Sequence, residues 1–137
     1  MISGRALFLD TWFVLALLNA DDEHHAQALG RLADIEAAMD VVVSEAVLTE
    51  IANALADHNR QAAFRFIRHC YDADNISVVP VDTALFQRGL ERYGARPDKS
   101  WGLTDCISFV IMEDRGLTRV ATRDRHFEQA GFVRMFS

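Results

Sequence analysis

Four carboxylates occupy positions from which they can act together. Asp10 directly follows the short apolar run Ala6-Leu7-Phe8-Leu9, and Asp124 comes two residues after Arg119-Val120-Ala121-Thr122, a predicted strand. Glu50 borders the apolar stripe Val47, Ile51, Ala54 and Leu55, and Asp105 falls in the first turn of a predicted helix with Ser108 one turn on. Hard divalent cations prefer oxygen ligands. A metal pair roughly 3.5–4 Å apart can acidify a water and stabilise the attacking and leaving oxygens of a phosphodiester, with no serine, cysteine or histidine required. Taken singly, Asp105 reads first as a first-turn acid and Asp124 as a helix cap. Asp10 is harder to explain that way, because a carboxylate between Leu9 and Phe13 needs a partner. The case therefore rests on the set.

Two predicted strand ends and two predicted helices must position these acids. The apolar run ending at Leu9 predicts a buried strand, followed by helices over 11–19 and 22–39. Val41-Val42-Val43 predicts a second strand, with Ser44 capping a helix that runs to about Asp57. A helix over 60–71, a strand over 76–81 interrupted late by Pro80, and a helix capped by Asp82 that fades near Gly94 come next. Residues 95–102 read as a loop, 103–114 as a helix stopped by Gly116, 119–122 as a strand, 124–129 as a short helix and 132–135 as an edge strand. Strands alternating with helices predict an α/β fold with a mostly parallel sheet and helices on both faces. Its ligand site belongs at the carboxyl ends of the strands. No linker, repeat or low-complexity stretch divides residues 1–137, so one domain is expected.

Composition constrains the partners. Fourteen basic against twenty acidic residues leave a net charge of −6, the wrong sign for a uniformly basic nucleic-acid surface but compatible with a metal cleft. Cys70 and Cys106 both fall in predicted helices, lack ligand spacing, and read as buried and reduced. The apolar run from Ala6 to Ala20 is too short for a confident membrane span and carries Asp10 at its middle, so a cytoplasmic protein is expected. His24 and His25 point to different helix faces, while His58, His69 and His126 form no ligand spacing. All five read as surface or supporting groups. On the 60–71 helix, Gln61, Arg65, Arg68 and His69 share one face and Ala63, Phe64, Ile67 and Cys70 the other. The polar face is an RNA-binding candidate or an ordinary solvated face. Arg123 and Arg125, flanking Asp124, are better placed for phosphate contacts.

The segments Leu7-Phe8-Leu9-Asp10-Thr11, Leu48-Thr49-Glu50-Ile51-Ala52-Asn53, Leu103-Thr104-Asp105-Cys106-Ile107-Ser108 and Ala121-Thr122-Arg123-Asp124-Arg125-His126-Phe127 together resemble the PIN-domain family, especially VapC-type toxins. The resemblance spans nearly the whole chain in the family's order. It implies a Rossmann-like sheet and a magnesium or manganese cleft formed by Asp10, Glu50, Asp105 and Asp124. It also implies endoribonuclease activity, homodimerisation, and inhibition by a separate antitoxin chain. Thr11, Thr104 and Ser108 are expected to orient carboxylates or water. Trp12 departs from the small polar residue usual after the threonine, which puts substrate access at the rim in question. A haloacid-dehalogenase-like phosphatase would want an acid at position 12, and a receiver domain a lysine late in the sheet, whereas the single lysine is Lys99 in the loop. A catalytically silent module that binds a partner protein through its acidic cleft is the competing reading.

Overall fold

A continuous apolar run suits a strand covered on both faces, and β1 (Ala6–Leu9) is buried along its whole length. The computed structural model describes residues 6–137. The other strands are β2 (Asp40–Ser44), β3 (Ile76–Val79), β4 (Arg119–Ala121) and β5 (Val133–Arg134), and the sheet runs β3-β2-β1-β4-β5. All four pairings are parallel, with Phe8 in register with Val42 on one side and Val120 on the other. Helices α1 (Thr11–Leu18) and α2 (His25–Glu36) join β1 to β2, and α3 (Glu45–Ala54) and α4 (Arg60–Asp72) join β2 to β3. Helices α5 (Thr83–Ala95) and α6 (Leu103–Arg115) lead to β4, and α7 (Arg125–Gln129) leads to β5.

The chain steps outward from β1 to β3, then crosses back to β4. Right-handed crossovers put α1 to α4 on one face and α5 to α7 on the other; the helices contact one another mainly within those two groups, with α3 also touching α6. The direction of winding reverses between β1 and β4, so the carboxyl ends of these two strands flank the switch point where a ligand cleft opens. Asp10 and Asp124 follow those two strands. On the second face, α5 and α6 approach so closely at Gly89 that an added Cβ would lie 2.5 Å from Ile107 Cγ1 and 3.2 Å from its Cα. That contact seats α6, which carries Asp105.

Local chemistry sets most of the boundaries. Ser44 Oγ accepts the Val47 N–H at 3.2 Å and Asp82 Oδ1 the Leu85 N–H at 2.8 Å, capping α3 and α5. Gly116, at φ 66°, ends α6 in the left-handed conformation. Three expectations shift. The helix expected over 22–39 begins only at His25, because Asp22 binds the backbone N–H groups of His24 and His25 in a turn. The strand expected over 76–81 stops at Val79, before Pro80, which has no N–H to donate. Phe64, placed on the apolar side of α4, is 57 % exposed, while Ala63 and Cys70 are buried. Cys70 and Cys106 are free and buried, and burial pushes the Cys70 thiol up to about 12, far from reactive thiolate. No helix among the described residues is long and apolar enough to cross a membrane.

Candidate active site

Asp10 caps the carboxyl end of β1 with its side chain only 5 % exposed. A buried carboxylate needs a donor, and Thr122 supplies one, its Oγ1 donating to Asp10 Oδ2 at 2.7 Å. The same Thr122 Oγ1 accepts the Asp124 N–H at 3.1 Å. One hydroxyl thus joins the ends of β1 and β4 and fixes two of the four acids relative to each other. Burial raises the Asp10 pKa to about 7; the Thr122 bond opposes this, and the charges of Asp105 and Asp124 add to it.

Asp105 and Asp124 meet at His126. The imidazole Nδ1 lies 2.8 Å from Asp105 Oδ2 and 3.4 Å from Asp124 Oδ1. Asp105 Oδ2 also accepts the Gly102 N–H at 3.1 Å, which ties the acid to the first turn of α6. Asp124 Oδ1 accepts the His126 N–H at 2.9 Å, so Asp124 is a helix cap and a candidate site acid at once. Burial raises the Asp105 pKa; the His126 and Gly102 bonds oppose this, and the Asp124 charge reinforces it. Asp105, Asp124 and His126 each offer a ligand atom within 4.8 Å of the others. Carboxylate oxygens with an imidazole nitrogen form a donor set suited to a first-row divalent cation, so these residues fit a metal ion.

Glu50 stands apart from that group. It is exposed on α3 and accepts a 2.6 Å hydrogen bond from Thr11 Oγ1, the residue after Asp10. α3 contacts α6, which brings the Glu50 helix to the side of the cleft that carries Asp105. The four acids therefore divide into a buried or half-buried group of three and an exposed fourth held at its edge. Thr11 orients a carboxylate, as expected. Ser108 does not: its Oγ donates to the Thr104 carbonyl at 2.9 Å, one turn back in its own helix. Thr104 lies in the first turn of α6, between Leu103 and Asp105.

Sequence reasoning gave no role to Thr122 and read His126 only as a surface or supporting group. Thr122 and Asp124 are two apart at a strand end, a spacing that favours a side-chain-to-backbone turn and was the available signal. Among the flanking arginines, Arg123 donates from Nε to the Ser137 carbonyl at 3.0 Å, while Arg125 is exposed at the start of α7. The Trp12 ring packs against Phe136 at 5.0 Å and His24 at 5.5 Å, which draws it into the wall formed by the C-terminal residues.

A sequence profile of the PIN domain matches residues 7–133. VapC20 of Mycobacterium tuberculosis, a sarcin–ricin loop cleaving toxin, superposes with a TM-score of 0.83 at 26 % identity, over 93 % of this chain and 96 % of its own. FitAcB of Neisseria gonorrhoeae shares the fold at a TM-score of 0.61 and 19 % identity, over 96 % of both chains. A search of curated protein sequences finds no match. The profile covers the chain from β1 to β5, all four acids included, and the chain belongs to the PIN-domain family.

Proposed function

We propose that this protein is a metal-dependent endoribonuclease and the toxin of a toxin–antitoxin pair. The observation that carries the reading is the junction at the β1–β4 switch point, where Thr122 joins Asp10 to Asp124 and His126 joins Asp124 to Asp105. The likeness to VapC20 supports RNA as the substrate class. Asp105 and Asp124, with Asp10 beneath them and Glu50 at the edge, would hold magnesium or manganese. The bound cation would supply charge neutralisation at the phosphodiester and activation of water. Thr122 keeps Asp10 aimed into the cleft, His126 fixes the Asp105 rotamer, and Thr11 holds Glu50 at the rim. Arg125 is the better placed of the two flanking arginines for a substrate phosphate, because Arg123 is already engaged with the C-terminal residue.

The same reading makes the protein a cytoplasmic homodimer that a separate antitoxin silences. Exposed Phe64 and Tyr71, two turns apart on α4, support a self-association surface. An antitoxin arginine among the carboxylates would stand in for the cation. Incubation of the purified chain with labelled RNA in manganese, in magnesium and in a chelator tests the activity. Cleavage that requires the metal and disappears in Asp105→Asn is expected. Tight binding of a partner protein with no cleavage under any condition would establish the silent-module reading instead.

A further inference from the structure

We propose that the cleft between the end of α5 and the start of α6 seats an unpaired RNA nucleotide beside the phosphodiester being cleaved. This rests on the ribonuclease reading and gives it a binding site for the neighbouring base. The cleft has a volume of about 720 Å³, within the range of small-molecule pockets, and its walls include Tyr93, Arg96, Lys99, Ser100 and Trp101. Its floor is rigid. The Trp101 ring is 6 % exposed, lies edge-on to Phe109 at 5.0 Å, and donates from Nε1 to Gln129 Oε1 at 3.0 Å. The Arg96 guanidinium and Lys99 ammonium sit over that ring at 5.3 and 6.0 Å, which places two cations on one rim. Arg96 is neutralised by two bonds to Asp98, at 3.0 and 2.9 Å, whereas Lys99 forms no ion pair among the described residues.

The cleft and the acid cluster share a wall. Ser100 Oγ lies 3.3 Å from His126 Nε2, and the His126 Nδ1 holds Asp105. Gly102, also lining the cleft, donates its N–H to Asp105. A strand whose phosphate reaches the acids therefore has its next nucleotide at this opening. Tyr93 is 49 % exposed there and offers an aromatic face on which any base can stack. In a chain of net charge −6, Lys99, which forms no ion pair among the described residues, gives the adjoining phosphate a local cation. One aromatic face, one lysine outside any ion pair and a hydroxyl beside the acid cluster suit a single nucleotide better than an acidic peptide, which would need several cations.

Binding of a 5′-labelled, twelve-nucleotide single-stranded RNA is measured by fluorescence anisotropy in an Asp105→Asn background that cannot cut it. Adding Tyr93→Ala is expected to weaken binding by roughly 5- to 150-fold, while Tyr93→Phe keeps it. Adding Lys99→Ala is expected to lower the slope of log affinity against log salt by about 0.7. In the otherwise unaltered chain with manganese, both alanine changes raise KM and leave kcat in place. Thermal melting confirms that each variant is folded. Parent-like binding by both alanine variants overturns the proposal, as does equal loss in Tyr93→Phe, or variants that lose only the binding of a partner protein. A parent chain that cleaves no RNA would instead refute the ribonuclease reading, whereas normal cleavage with unchanged KM in both variants sinks the cleft alone.

Discussion

Asp10 and Glu50 approach the same cleft from opposite surroundings. Asp10 is sealed under the sheet end, with one hydroxyl as its side-chain donor and a pKa raised to about 7 by burial. Glu50 is exposed on α3 and held by a single bond from Thr11. The strand-end acid is preorganised at a cost to the metal-free fold, since its charged form is poorly solvated. The helix acid is solvated and adjustable, and its orientation costs little. The two sides of the site should therefore respond differently to the same kind of substitution.

The largest effect is expected on activity at the buried side. Asp10→Asn should reduce RNA cleavage by at least about 100-fold, because a cation ligand and its alignment are lost together. The fold should persist, since an amide oxygen can still accept the Thr122 hydroxyl. Cleavage rate and circular dichroism, measured on one preparation, check both halves.

The next largest effect is on stability against pH. The Asp10 pKa is raised on folding, from 3.8 to about 7, so the folded chain retains a proton that the unfolded chain releases. The contribution of Asp10 is then fully present below about pH 4 and is lost as pH rises through about 7. The slope approaches roughly 1.4 kcal/mol per pH unit. Asp105, whose pKa burial also raises, acts in the same direction. Urea unfolding in chelator at pH 5 and pH 7.5 should show this loss, and Asp10→Asn should flatten it.

Removing the junction itself is expected to cost less. Thr122→Val takes the donor from Asp10 and the acceptor from the Asp124 N–H, for a loss of about 1–3 kcal/mol. Metal affinity should fall roughly 10- to 100-fold, and Thr122→Ser should restore most of both. Denaturant midpoints and metal titration of the pair separate positioning from packing. The smallest effect belongs to the exposed side. Thr11→Val breaks only the bond to Glu50 and should cost less than about 1 kcal/mol, with a far smaller drop in cleavage than Thr122→Val.

The features legible in the sequence are those set by near neighbours. The apolar run of β1, the caps Ser44 and Asp82, and the Gly116 stop all act within a few residues, and each lies where it was expected. The placement of Asp10 and Asp124 at strand ends followed from the same patterns. The pairing of His126 with Asp105 did not, because it spans 21 positions and depends on how α6 and α7 pack. The turn at Asp22 and the exposure of Phe64 were missed for related reasons. Asp22 captured two backbone donors ahead of α2, one on its side chain and one on its carbonyl, and α4 is rotated so that position 64 faces solvent. Residues 96–102 are irregular as expected, with Ala95 still in α5, but nothing local revealed that Trp101 would be buried beneath two cations.

On the proposed function, the acids gathered at the β1–β4 switch point bind a divalent cation on which RNA cleavage depends. Thermal melting of the parent chain and of Asp105→Asn, with and without manganese, tests it most directly. Manganese at about a hundredfold excess over its dissociation constant should stabilise the parent by roughly 2.7 kcal/mol. In Asp105→Asn that gain should shrink sharply, while the metal-free mutant melts at or slightly above the parent and cuts no RNA. A mutant that gains as much from manganese as the parent, or that still cleaves RNA normally, would contradict the account.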